Sequence, residues 1–441
     1  MPDVSLLALL LLALALLTAA ALVAARMDFL QPAVIGAGVM TISALFAAIG
    51  ARWWASPLSF AGWWLIFLAM AVFVAAGLWT YAMARPRTPE APVRPQAVCE
   101  VAWLPMIAFC ALMAYMANCN LHAMYDVSLA LGNTEGYRGM ISTVRTAIEM
   151  DQGALFNRWM NYRTILAQML ATIYLYIFFR NTILCGWRWR FLAALPPVLC
   201  YLPFLVLSTG RMTMLTFVIY GFLIAAILYL RKHGYAMAAR RRAILAALAA
   251  GAVFVVLFFL MGLLTGKTGG SGGRSFFQII AHYAGLSLPA FGEIITHPML
   301  EDGLIGSHTL GPLYRILTSI GIAMPPVMNF MPFTAFSGID TNVYTALWRY
   351  TWDFGIIGML LMMFLLGAGY TLAYCAIRHG RPRPYALMAY ATFAYPVFWF
   401  PMDDRLLMDI FNSTTFYDLA VLFLLYELLI VHARKTPIKQ K

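Results

Sequence analysis

Apolar runs recur along the whole chain, each close to the roughly 20 residues that an α-helix needs to cross a hydrocarbon core about 30 Å thick. They fall at 4–25, 31–50, 58–82, 100–118, 162–180, 191–209, 212–230, 243–264, 354–376, 385–401 and 416–432. The pattern predicts an all-α fold, a polytopic transmembrane helical bundle of about eleven spans. Two of the intervening segments, 119–161 and 265–352, are too long to be connectors. The proline-rich, charged stretch from Arg85 to Pro95 reads as a solvated linker. It divides the chain into a three-helix segment (1–84), the linker (85–98) and a larger bundle (99–441) that carries both long loops. There is no repeat at a fixed period and no matching pair of broken helices of the kind that marks many secondary transporters.

Polar positions shape the two loops. From Gly139 to Trp159, the residues Ile141, Val144, Ile148, Leu155 and Trp159 share a helical face, while Arg138, Arg145, Glu149 and Arg158 lie off it. This predicts either a helix lying on the membrane surface or one that caps the bundle. The second loop opens on a glycine-rich stretch containing Gly266-Lys-Thr268. A phosphate-binding P-loop is a poor fit, because Met261 stands where that pattern needs its first glycine and a membrane helix precedes it instead of a strand. A hinge, or a glycine backbone close to a phosphate, remains.

Composition agrees with the pattern. The chain has 441 residues, 63% of them hydrophobic and only 11% charged, with a mean hydropathy of +0.79. A soluble domain could not hide that much apolar surface. The net charge of +12 would ordinarily suggest nucleic acid. Most of the basic residues, however, fall on one side of the predicted spans, among them Arg85, Arg87, Arg94, Arg231, Lys232, Arg240, Arg241, Arg242, Arg378, Arg381 and Arg383. The positive-inside rule makes that side cytoplasmic, with the N-terminus outside and the C-terminus inside, so the basicity directs topology and implies no nucleic acid. Residues 1–25 lack the basic start of a signal peptide and carry Asp3, which predicts a retained helix. The six cysteines lie in or beside the spans, which implies neither a disulfide framework nor a metal site.

Candidate chemistry gathers on the predicted outer face. Ser208-Thr-Gly-Arg211 joins two spans with almost no loop, so Arg211 is either a snorkelling arginine or a fixed guanidinium for phosphate. Asp340, Asn342, Tyr344, Arg349, Tyr350 and Asp353 crowd the mouth of the ninth span, where polar groups must face water, a ligand or one another. Asp340 and Asp353 are also fit to cap helices. His282, Glu293, His297, Glu301, Asp302, His308 and Arg315 follow no metal-ligand spacing, but the set could supply a general base, His308 first and Glu293 second. Asp403, Asp404 and Arg405 form either a salt-bridged latch or an acceptor-binding group, and Glu149 with Asp151 makes a weaker acidic pair.

The segment from Tyr283 to Tyr370 resembles the Wzy-type O-antigen polymerases, which polymerise oligosaccharide repeat units. The resemblance rests on Tyr283, Pro289, Phe291, Gly306-x-x-Thr309, Thr341-Asn-Val-Tyr-Thr345 and Asp353-Phe-Gly355-x-x-Gly358, with Ser208 and Arg211 similar to a mid-chain signature. Leu310 departs from the aromatic residue common in that family. The resemblance implies a membrane glycosyltransferase of GT-C-like architecture in the inner (cytoplasmic) membrane, working on its periplasmic face. Its substrates would be donor and acceptor oligosaccharides on undecaprenyl pyrophosphate, and it would need no nucleotide sugar, metal or other cofactor. A chain-length regulator and a flippase are the protein partners it implies.

On that reading, Arg211, Arg274, Arg315 and Arg145 would bind pyrophosphate and His308 or Glu293 would act as base. Asn342, Tyr344, Tyr350, Asp353, Asp403, Asp404 and Arg405 would contact the glycans. An O-antigen ligase, moving the glycan to a lipid A core, is the nearest alternative. A flippase or other transporter would carry charged residues deep in several spans, and these spans carry few, Glu427 being the clearest.

Overall fold

A computed structural model describes residues 5–54, 58–84, 92–93, 97–149, 157–208, 211–264, 276–296, 305–324, 331, 334–336, 339–379, 383–432 and 435–437. The protein is all-α apart from two small two-stranded pairings. Among the described residues, nine helices are long and apolar enough to cross a membrane, or ten if one bent pair is a single span. The chain divides into two compact units, each discontinuous in sequence. The first comprises residues 1–87, 272–381 and 393–413, and the second 88–271, 382–392 and 414–441.

The first unit is built on α1 (Ser5–Ala24), α2 (Pro32–Gly50), α3 (Phe60–Met83) and α14 (Ala346–His379). Gln31 and Ser59 cap α2 and α3, each accepting a backbone N–H of the first turn, and Pro32 at the first helical position needs no such partner. Lipid offers no hydrophobic force to pull helices together, so close packing depends on small residues. Gly367 of α14 lies so near α3 that a Cβ there would collide with the Phe73 backbone, and a Cβ on Gly77 would come within 3.0 Å of the Thr371 hydroxyl.

At one end of α14 an enclosed ion pair ties these helices together. Arg378 pairs with Asp28, which is 0% exposed and also accepts from the Tyr374 hydroxyl at 2.9 Å and the Tyr81 hydroxyl at 3.4 Å. Arg378, one of the basic residues expected on the cytoplasmic side, is buried in this pairing.

The second loop contains a bent pair of helices. Its α11 (Phe276–Gly285) and α12 (Ser287–Thr296) bend by 47° at a short break and are together apolar enough to form a broken span or a re-entrant loop. They pack on α2 and α3. Gly285 permits backbone-to-backbone approach to Ala47, and a Cβ on Gly62 would lie 2.6 Å from the Cα of Gly292. The expected span 385–401 is not one helix. It runs as α15 (Pro384–Phe393) and then a 3₁₀ turn from Tyr395 to Trp399, where Pro396 removes a donor.

The second unit contains α4 (Trp103–Ala130), α5 (Tyr137–Glu149), α6 (Arg158–Phe179), α9 (Arg211–Lys232) and α10 (Met237–Leu264), with most of α17 (Ser413–Tyr426). The span expected at 191–209 is broken into a 3₁₀ turn and the short helices α7 (Pro196–Cys200) and α8 (Leu202–Leu207), as Pro196, Pro197 and Pro203 dictate. The amphipathic α5 buries Met140 and Val144 against Met124 and Met160, while Trp159, expected on the same face, is exposed. Asn120 joins α4 to α6, accepting from Arg163 Nε at 2.7 Å and donating to Thr164 Oγ1 at 3.1 Å.

Candidate active site

The start of α14 is the structural centre of the candidate site. Thr345 holds a left-handed φ of 72°, a strained conformation for a β-branched residue, and Ala346 then donates its N–H to the Phe400 carbonyl at 3.0 Å. This fixes the first turns of α14 beside the segment 400–404. Nine residues on, Gly355 adopts φ 66° and ψ −177°, a region open essentially to glycine alone, and breaks the helix. A continuous 34-residue helix would be about 51 Å long at 1.5 Å per residue. With the break, the portion after Gly355 is long enough to span by itself, so residues 346–354 need not lie in hydrocarbon.

That short first segment projects two adjacent stripes at i, i+4 spacing: Arg349 with Asp353, and Trp348 with Trp352. Asp353 accepts from four donors. Its Oδ1 receives the His308 N–H at 3.2 Å and faces His308 Nδ1 at 3.0 Å, while its Oδ2 receives the Thr309 N–H at 2.6 Å and the Thr309 hydroxyl. Against an ionised Asp353, which can only accept, the contact is made by an Nδ1–H of His308, and the tautomer that donates there has Nε2 as its acceptor nitrogen. Ser307 Oγ also lies 3.1 Å from Nδ1. The His308 ring packs edge-on to Trp348 and Trp352, with centroids 5.4 and 6.3 Å away.

Arg349 locks the arrangement. It donates to the His308 carbonyl at 2.7 Å and grips Asp403 bidentately, Nε to Oδ1 at 2.6 Å and Nη2 to Oδ2 at 3.1 Å. Asp403 Oδ1 also receives the N–H of Asp404, whose own Oδ1 accepts from Leu406 and Leu407 and starts α16 (Leu406–Ile410). Burial pushes the Asp404 carboxyl up to about 6, and neighbouring Asp403 adds to the shift. Tyr350 and Arg349 oppose it, although Tyr350 OH and Asp404 Oδ2 face each other without closing a well-formed hydrogen bond.

Five of the residues singled out from sequence are thus joined in one hydrogen-bond network, His308, Arg349, Asp353, Asp403 and Asp404, with Tyr350 packed beside Asp404. Exposure separates their roles. The His308 side chain is 12% exposed and that of Asp403 25%, whereas Asp353 shows 1%. Tyr344 and Tyr350 are fully buried, Tyr344 donating to the Thr341 carbonyl at 3.0 Å. Asp353, Tyr344 and Tyr350, expected above to contact substrate, are all buried.

Asp403 pairs with Arg349, not with Arg405, which is half-buried at the start of α16. Asn342 is half-buried just before α14. Glu293 is half-buried on α12 and contributes no atom to the network described for His308. Arg315 is exposed on α13 (Gly311–Ser319). Arg145 belongs to the second unit, as does Arg211, whose side chain lies outside the described residues. Arg274, His297, Glu301, Asp302, Asp151 and Gly266-Lys-Thr268 are outside them too, as are the side chains of Asp340 and Glu149.

Reading the sequence underrated Arg349, Thr309 and the two tryptophans. The i, i+4 spacing of Arg349 and Asp353 was a usable signal, but their partners at 308–309 and 403 are distant in sequence. No protein-family model, curated protein or solved structure matches the chain.

Proposed function

We propose that the protein polymerises undecaprenyl-pyrophosphate-linked oligosaccharide repeats by glycosyl transfer on the outer face of the cytoplasmic membrane, as its resemblance to the Wzy-type polymerases implies. The observation that supports this best is the His308–Asp353 pair, a partly accessible imidazole with its Nδ1–H engaged and Nε2 left as a base. In the reaction the acceptor sugar's hydroxyl oxygen bonds to the donor's anomeric carbon as that carbon's bond to the pyrophosphate oxygen breaks. The hydroxyl proton passes to His308 Nε2, and the lipid pyrophosphate leaves with the electron pair. Asp353 holds the ring and stabilises the imidazolium that forms.

The pyrophosphate needs cations that the His308 network cannot spare, because Arg349 is committed to Asp403. Arg211, Arg274, Arg315 and Arg145 are proposed for that task on chemical grounds. The N-out, C-in topology and the GT-C-like architecture belong to the same proposal. Gene deletion and complementation test it: loss of the protein should leave single repeats on the lipid A core. A core stripped of glycan would instead identify a ligase, and normal polymer would refute both.

A further inference from the structure

The His308 network has the wrong charge for a phosphate. Asp353, Asp403 and Asp404 surround one arginine, which is already held by Asp403, so an entering dianion would meet carboxylates and no uncommitted cation within the network. Its surface is aromatic as well as acidic. Trp348 and Trp352 stack with centroids 5.8 Å apart and planes 21° from parallel. Trp348 is 1% exposed and backs Trp352, which is only partly buried at the edge of the core.

The Trp348 Nε1–H is enclosed and meets no acceptor among the described residues. An indole face carries negative quadrupole charge, which attracts the weakly positive C–H bonds on one face of a pyranose. Carboxylates accept hydrogen bonds from sugar hydroxyls, and Asp403 is the most accessible of the three. A rigid aromatic plate beside a base and an accessible carboxylate is chemistry suited to a neutral sugar ring.

We infer that Trp352 is the stacking platform of a pyranose subsite at His308, and that this subsite takes the uncharged sugar of the acceptor while excluding pyrophosphate. The inference rests on the proposed glycosyl transfer but predicts binding that can be read without any turnover. Trp352 presents its face to the ring's C–H bonds, and Asp403 Oδ2, which among the described residues accepts from Arg349 alone, takes one hydroxyl. The hydroxyl directed at His308 Nε2 is then the one that reacts.

The test uses the full-length protein in phosphatidylethanolamine–phosphatidylglycerol nanodiscs, free of sugar-headed detergent. Saturation-transfer NMR is recorded with methyl pyranosides of glucose, galactose, mannose, N-acetylglucosamine and N-acetylgalactosamine. At least one should receive saturation on its ring C–H protons. Trp352→Ala should weaken that binding by about tenfold, while Trp352→Phe retains most of it. Inorganic pyrophosphate at equal concentration should not compete.

Circular dichroism and thermal unfolding check that the variants are folded, and retained binding by Trp352→Phe separates loss of the platform from loss of the fold. The inference is overturned if no pyranoside binds, if Trp352→Ala binds as the wild type does, or if pyrophosphate displaces the sugar. Polymerisation is scored separately. Sugar binding without polymerase activity would contradict the proposed function and leave the subsite standing, and wild-type polymerisation by Trp352→Ala would do the reverse.

Discussion

Replacing Asp353 by asparagine keeps the shape of the side chain and removes its ability to accept on both sides. Each carboxylate oxygen serves two donors, one from the backbone and one from a side chain: His308 N and Nδ1 on Oδ1, Thr309 N and Oγ1 on Oδ2. Whichever way the amide turns, its NH2 faces one of those pairs. Toward Thr309, the hydroxyl can rotate to accept but the backbone N–H is orphaned in a buried site, costing about 1–3 kcal/mol. Toward His308, the imidazole must present Nδ1 as an acceptor, which moves its hydrogen to Nε2 and abolishes the base. In either orientation the charge that stabilises the imidazolium is lost, and a rate loss approaching the roughly 10²–10⁴-fold of general-base catalysis is expected. Two assays on purified Asp353→Asn protein check this: extension of a lipid-linked repeat, and ¹⁵N NMR of labelled histidine, which reports the tautomer. Activity within roughly twofold of wild type, with the Nδ1–H tautomer retained, would refute the reasoning.

Further outcomes follow from packing and charge. Gly367→Ala should destabilise the first unit by about 1–3 kcal/mol, read as a lower unfolding temperature in nanodiscs, because its Cβ collides with the rigid Phe73 backbone. Arg378→Met should cost about 3–5 kcal/mol by stranding Asp28 as a buried charge, and Asp28→Leu combined with Arg378→Met should recover much of that loss in the same measurement. Asp404 has its carboxyl raised from 3.8 to about 6, so its unionised form is favoured in the fold. Its contribution to stability is present below pH ~4 and is lost as pH rises to about 6, a change of about 3 kcal/mol. Asp404→Asn should flatten that part of the stability profile, and an unchanged slope would show that Asp404 does not titrate in this way.

The fold was legible where the chemistry is local. Unbroken apolar runs such as 5–24 and 60–83 had one outcome available, since a lipid-facing backbone must satisfy its own hydrogen bonds within a helix. Proline and glycine blurred the rest: Pro396 interrupts the expected span 385–401 and Gly285 bends a pair of helices within what reads as a loop, whereas 191–209 keeps its place as one candidate span, Trp189–Leu207, although Pro196, Pro197 and Pro203 divide its helix. The site was legible as residue types. Asp353 looked equally like a helix cap, and only the approach of 308–309 shows that it caps a different segment and orients an imidazole. Arg349 stood out at the mouth of that span, but its pairing did not, because Asp403 is 54 residues away. Asp418, on α17, went unremarked beside Glu427 because one acid in an apolar run carries no spacing to read.

The central claim is glycosyl transfer with His308 as the base. Purified protein reconstituted with an undecaprenyl-pyrophosphate-linked repeat should lengthen the glycan and release lipid pyrophosphate, and His308→Gln should bind the same lipid yet lose at least about 10²-fold in rate. No extension by the wild-type protein on its cognate repeat, or wild-type rates from His308→Gln, would contradict the account.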